Sequence, residues 1–230
     1  MEFDLRTLAP QSRYNILGGC VTPRPIAWIT SLAADGTLNA APFSFFNVLG
    51  HEPPTVAVGL LAHGEGRQKD TTVNIRTRGE FVINLVDEAH GEAMNITCMD
   101  APPHVDELAC AGLEAAASVV VAPPRIATAP VSFECKLLHA IETGPHQFAV
   151  IAEVLYAHVR DAYVLDTELM HFDTPAMNLI ARMHGAGWYS RQTDLFQMAR
   201  PTWTDWRDQH RAEEPADTTG HPEASPLAGI

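Results

Sequence analysis

The segment "KDTTVN", Lys69 to Asn74, places a cation, an acid and two hydroxyls at the start of a stretch that reads as a short helix. Free N–H groups in a first helical turn, together with the positive end of the helix dipole, form an anion seat. Lys69 adds a point charge there, and Thr71 and Thr72 add hydroxyl donors. A plainer reading competes: Asp70 as a cap would aim its carboxylate at the same N–H groups. Three further stretches bring polar groups where a ligand can approach. "NAAPFSFFN", Asn39 to Asn47, sets Ser44 and Asn47 among aromatics, although an ordinary strand leaving a hairpin accounts for it at least as well. In "TGPHQFAVIAEV", His146 starts a strand directly after a turn, where side chains often face a pocket and often do nothing more than finish the turn. In "ARMHGAGWYS", Gly185 and Gly187 stand among His184, Trp188 and Tyr189, a combination that suits closure over a flat ring and equally suits a turn.

Other chemistries lack their residues. Eleven histidines occur without an H-x-x-x-H or H-E-x-x-H pair, so zinc ligation has no support. There is no G-x-S-x-G elbow and no G-x-G-x-x-G after a strand. Cys20, Cys98, Cys110 and Cys135 are scattered among apolar neighbours and read as four buried free thiols.

The formal net charge of −13 argues against nucleic acid and anionic membrane as partners. It also gives local positive charge meaning: "RQKDTTVNIRTR" holds Arg67, Lys69, Arg76 and Arg78 against Asp70 alone. A solvated helix face explains that island as well as an anion site does. No apolar run approaches the roughly 18 residues of a membrane helix. The opening "MEFDLRTLAPQSR" has no apolar signal region, so a cytoplasmic location is expected.

These residues need a frame. Residues 14–60 read as strand-rich: "TPRPIAWITS" is a buried strand entered through two prolines, "AADGT" a turn, and "LNAAPFSFFNVL" and "PPTVAVGLL" further strands. "DTTVNIRTRG" is a helix with Gly79 just past its end, and "EFVINLV" is a strand. Residues 87–116 form an excursion from the sheet, and "VSFECKLLHAIE" and "QFAVIAEVLYAHV" pair around "TGPH". Many short strands with few helices predict an antiparallel barrel with helices across its openings. The expected domain spans 1–200. Residues 201–230 form an acidic, Pro-rich tail whose Pro201–Gln209 stretch docks through Trp203 and Trp206.

Taken in order, "RYNILGGCVTPRPIAWITS", "GTLNAAPFSFFNVLGHEPP", "KDTTVNIRTRGEFVIN", "GPHQFAVIAEV" and "ARMHGAGWYS" resemble the flavin reductase-like family, the FMN-binding split barrels, over roughly Ser12 to Arg191. The resemblance implies a mainly β fold: a six-stranded antiparallel Greek-key split barrel with a few flanking α-helices, forming a homodimer. It implies FMN as cofactor (FAD as the alternative) and NADH or NADPH as co-substrate, in a reductase that can supply a separate monooxygenase. An FMN-binding electron carrier without pyridine-nucleotide activity has the same motifs, and a barrel for another planar cofactor is a third reading. Carried over by residue, Thr30 and Ser31 line the ring, Asn39, Ala41 and Pro42 border ring and ribityl, and Ser44 reaches ribityl or phosphate. Lys69, Asp70 and Thr71 hold the phosphate, and Arg24 adds positive charge. His184 and Tyr189 lie near the ring, and His146 positions ring and nicotinamide. Two features depart from the pattern: Ala152-Glu153-Val154 replaces a usual G-E-V, and His184 stands where many members have glycine.

Overall fold

A computed structural model of the chain describes residues 1–62 and 66–210. The chain divides into two compact units, Met1–Asp194 and Leu195–Ile230. The first is built on a sheet of seven strands: β1 (Ala27–Leu32), β2 (Leu38–Phe43), β3 (Phe46–His51), β4 (Pro54–Leu60), β5 (Glu80–Asn84), β6 (Val131–Gly144) and β7 (Gln147–Val159). Their order is β2-β1-β5-β6-β7-β4-β3, with every pairing antiparallel.

The expected six-stranded Greek-key sheet is corrected to seven strands, and one segment accounts for the difference. "LNAAPFSFFNVL" reads as a single strand but breaks at Ser44-Phe45 into β2 and β3. These two lie at opposite ends of the sheet order. A two-residue link reaches only about 10 Å, so the sheet must curl until its edges meet. The crossing is tight. The Gly59 N–H donates to the Phe45 carbonyl at 2.6 Å, and a Cβ on Gly59 would lie 2.9 Å from the Phe45 Cβ. Glycine at 59 is therefore required by the closure itself.

β1 is buried on both faces, which explains its unbroken apolar run. Ala27 and Ile29 join an inner core with Phe43, Val58, Phe81 and Val150. Ile26 and Trp28 join a second core with Ala40, Met94, Leu108 and Ile126. The excursion over 87–116 supplies that second layer through α3 (Gly91–Ile96) and α4 (Glu107–Cys110). The Trp28 indole donates to Thr97 Oγ1 at 2.9 Å, satisfying the one polar atom buried with the ring.

The turn before β2 forms as expected: Gly36 has φ 91°, and Asp35 Oδ1 accepts from the Thr37 N–H at 2.9 Å. α2 runs Asp70–Arg78, and Gly79 at φ 73° donates its N–H to the Ile75 carbonyl at 2.8 Å, closing the helix. Helix α1 (Pro10–Cys20) overlaps the start of the region read as strand-rich. Proline at its first turn starts it, but only Gly18 along it is buried, so it carries no apolar period to read. The expectation of four buried thiols holds only for Cys135, whose burial pushes the thiol up to about 12. Cys20, Cys98 and Cys110 are exposed free thiols, each at or just past the end of a helix.

Within the second unit, α5 (Trp203–His210) is capped by Thr202, whose Oγ1 accepts from the Asp205 N–H at 3.1 Å. Its tryptophans, Trp203 and Trp206, are stacked on each other with centroids 5.4 Å apart. The tail beyond His210 lies outside the described residues. Among the described residues, no helix is long and apolar enough to cross a membrane.

Candidate functional site

The site grows from the contact of β2 with α2 and α4. The Asn39 amide sits at the centre of a buried polar network. Its Oδ1 accepts from Thr71 Oγ1 at 2.7 Å and from Ser31 Oγ at 3.3 Å, and its Nδ2 donates to Glu107 Oε1 at 3.0 Å. Glu107 Oε2 accepts from the Ala40 N–H at 3.0 Å, and Asn74 Nδ2 donates to Ser31 Oγ at 3.1 Å. Glu107 is a buried acid in a four-residue helix, and nothing in the sequence singles it out. Burial pushes its carboxyl up; hydrogen bonds from the Ala40 N–H and Asn39 oppose this, and the nearby Asp70 charge adds to it. Both faces of the Asn39 amide are thereby oriented and α2 is locked to β2.

Three cavities lie in succession on this side of the barrel. The first, about 120 Å³, is lined by Asn39, Ala41, Pro42, Lys69, Asp70 and Thr71, with Arg67, Cys98 and Glu107 beside them. The second, about 370 Å³, shares Pro42 and Cys98 with the first and adds Phe43, Ser44, Arg182 and Tyr189. The third, about 580 Å³, shares Arg182 and Ala186 with the second and adds Tyr14, Arg24 and His184. Each shares wall residues with the next, a groove-like run from the start of α2 to α1.

The hairpin that borders the last two cavities pairs Ile180–Arg182 with Tyr189–Arg191. It is fastened at both ends. Arg24 and Arg182 exchange backbone hydrogen bonds of 3.0 and 2.8 Å, and the Arg191 guanidinium pairs with the Glu88 carboxylate. Gly185 and Gly187 have φ of 60° and 79°, which their lack of a side chain allows, and the His184 and Trp188 rings stack at 6.4 Å.

The start of α2 is open. Its N-cap is Lys69, with no side-chain capping bond, and Asp70 is already helical. The reading of Asp70 as a cap is therefore corrected: its carboxylate does not take the first N–H groups, and those of Asp70 and Thr71 have no intrahelical carbonyl. The Thr71 hydroxyl proton is committed to Asn39, so its backbone N–H is the donor left for a ligand. Thr72, expected as a second hydroxyl donor, is fully buried and lines no cavity.

The basic island disperses. Arg76 stacks on Phe148 at 4.4 Å, and Arg78 donates to the Ala33 carbonyl at 2.9 and 2.6 Å. Arg67 pairs with Asp100 at 2.9 Å. Only Lys69 faces the first cavity without an ion pair to a described residue, with its ammonium 5.6 Å from the Phe43 ring centroid.

Ten of the thirteen residues carried over by resemblance line the groove: Arg24, Asn39, Ala41, Pro42, Ser44, Lys69, Asp70, Thr71, His184 and Tyr189. Ser44 lies in the second cavity, away from the start of α2. Thr30 and Ser31 do not reach the groove. Both are fully buried, Thr30 donating to the Pro124 carbonyl at 2.6 Å, because β1 has neighbours on both faces. Ser31 acts from beneath, through Asn39. His146 lines none of the three cavities; it is exposed at the tip of the β6–β7 hairpin with φ 58°. Arg24 is largely structural. It donates to the carbonyls of Gly18, Val21 and Met183, tying the end of α1 to the hairpin.

The chain is similar in sequence and in fold to several known proteins. A protein of Deinococcus radiodurans described only as uncharacterised is 37% identical over 220 residues, covering 94% of this chain and 96% of that one. Among solved structures, 2-nitrobenzoate 2-nitroreductase from Pseudomonas fluorescens is 32% identical, with a TM-score of 0.80 and coverage of 88% of this chain and 98% of its own. Nitrilotriacetate monooxygenase component B from Bacillus cereus is 29% identical, with a TM-score of 0.81 and coverage of 86% and 98%. Flavoredoxin of Desulfovibrio vulgaris, at 21% identity and a TM-score of 0.68, shares the fold. The flavin reductase like domain matches residues 19–179. This chain belongs to the flavin reductase-like family and has its split-barrel fold.

Proposed function

We propose that the protein is an FMN-binding flavin reductase that uses NADH or NADPH as hydride donor. The observation that carries the reading is the continuity of the groove: an open helix start with a lysine at one end, and an aromatic, glycine-hinged hairpin beyond it. The residues fit FMN by their chemistry. Lys69 and the free N–H groups of Asp70 and Thr71 suit a phosphate dianion. Asn39, held by Glu107, presents a fixed amide to the ribityl chain. Pro42, Ser44 and Tyr189 offer a flat, weakly polar wall to the ring.

FMN, held by Lys69, Asn39 and the wall of Pro42, Ser44 and Tyr189, would supply the redox chemistry, that of accepting a hydride and its two electrons from a reduced nicotinamide. The chain's own task is to bind, orient and exclude water. No side chain in the groove has to move a proton for the hydride to pass. A positioning role for His146 belongs to the homodimer in this reading, where the exposed hairpin tip of one copy meets the groove of another. The Bacillus cereus relative is named as component B of a nitrilotriacetate monooxygenase, and in this reading a flavin-dependent monooxygenase is a fitting acceptor of the reduced flavin.

Anaerobic mixing of the FMN-loaded protein with NADH and with NADPH tests the reading. Rapid bleaching of the flavin band by either supports it. FMN that binds but is bleached by neither leaves an electron carrier, and the reductase function is then refuted.

A further inference from the structure

The third cavity contrasts with the rest of the molecule. In a chain of net charge −13 it is lined by two guanidiniums and by no carboxylate. Arg24 is 6% exposed, and four of its five N–H donors are committed: two to the Gly18 and Val21 carbonyls, one to Met183, and one to Ser44 Oγ at 3.4 Å. Arg182 makes one side-chain hydrogen bond, to the Gly185 carbonyl at 2.9 Å, and stacks over the Tyr189 ring at 4.9 Å. Neither has an ion pair among the described residues. Burial pulls the Arg24 guanidinium down; the Tyr14 hydroxyl opposes this, and the like charge of Arg182 pulls it further down. Two cations held near each other without counter-charge are costly unless an anion joins them.

We propose that this cavity, between α1 and the Arg182–Tyr189 hairpin, binds the diphosphate of a nicotinamide dinucleotide, with Arg182 as the gripping residue and Arg24 as a fixed background charge. The inference rests on the reductase reading and names where its co-substrate is held. Arg182 also lines the cavity that faces Tyr189 and Pro42, so a dinucleotide anchored there has its nicotinamide end within the ring cavity next door. Gly18 and Gly19 place no side chain between α1 and the hairpin, which leaves room for the chain of phosphates; a Cβ on Gly19 would meet only the His184 Cβ, at 3.9 Å. Arg24 is unsuited to a test because its removal would strip three carbonyls of their donor. The Arg182 side chain donates to one carbonyl, that of Gly185, and otherwise lies over the Tyr189 ring, so its removal leaves fewer groups unpaired.

The experiment compares wild type with Arg182→Gln and Arg182→Lys, all FMN-loaded. The nucleotide concentration for half-maximal anaerobic bleaching should rise about tenfold or more in Arg182→Gln, as loss of a charge-assisted contact requires. Arg182→Lys should recover most of the loss, and in Arg182→Gln the loss of nucleotide affinity should exceed any loss of FMN affinity by about fivefold or more. ADP-ribose, which carries the diphosphate but no hydride, should bind wild type and weaken by a similar factor in Arg182→Gln when followed by calorimetry. Equal half-saturation, equal ADP-ribose binding, or a loss of FMN affinity as large as the loss of ADP-ribose affinity each overturns the assignment. Wild type that binds ADP-ribose but is not reduced refutes the reductase reading and leaves the anion site standing. Wild type that does neither overturns both.

Discussion

Lys69→Ala separates the phosphate end of the groove from everything else in it. Lys69 is half-buried at the mouth of the first cavity, packs over Phe43 at 5.6 Å and has no ion pair among the described residues, so its charge is available to a ligand. A fully desolvated charge-assisted contact contributes about 1.5–3 kcal/mol; partial exposure reduces this to about 1–2 kcal/mol, or about 5- to 30-fold in Kd. The lost cation–π contact affects folding by about 0.5–1 kcal/mol and is read separately as a small fall in Tm. The assay is equilibrium titration of flavin-free protein by quenching of flavin fluorescence, run with FMN and with riboflavin. Riboflavin has the same ring and ribityl chain but no phosphate, so its affinity should not move. The FMN penalty should also shrink as salt is added. Unchanged FMN affinity, or equal weakening of FMN and riboflavin, would refute the placement of the phosphate at the start of α2.

Asp70→Asn keeps the backbone N–H and removes a like charge beside the phosphate, so FMN affinity should rise by about twofold to fivefold; a fall would mean that the carboxylate itself contacts the ligand. Burial alone would push Glu134 up, but the His158 hydrogen bond at 2.7 Å and the N–H groups of Val119, Val120 and Val121 outweigh it and hold the carboxyl below its ordinary value. Its contribution to stability is therefore present above the ordinary carboxylate range and lost as pH falls through the lowered value. Glu134→Ala should cost about 3 kcal/mol or more and flatten the acid side of a Tm–pH curve; an unchanged acid limb would contradict this. Glu107 has the opposite sign. Its raised carboxyl favours the fold at low pH, and that contribution fades as pH rises through the raised value. Glu107→Gln should remove the decline, measured as Tm between acid and neutral pH.

The sequence was most legible where a local rule decides the structure alone. Asp35-Gly36 made its turn, Gly79 ended α2, and β1 was readable from an apolar run that only burial on both faces permits. It was least legible where distant segments meet. The break at Ser44-Phe45 follows from the curl of the sheet around Gly59, which no window of sequence contains. Helix α1 has no buried stripe to announce it. Most groove residues were found because they sit in motifs of unusual composition. Glu107 and Arg182 were not, since an acid in a four-residue helix and an arginine beside a hairpin gain meaning only from what folds against them. Thr30 and Ser31, carried over by resemblance as ring-lining residues, are covered because the helical layer packs on the second face of β1.

The central claim is that the groove holds FMN. Calorimetric titration of FMN into flavin-free protein, with the visible spectrum followed in parallel, tests it most directly. Binding should saturate at one FMN per chain, be tighter than that of riboflavin, and perturb the flavin band. Absence of saturable binding for FMN, FAD and riboflavin alike would contradict it.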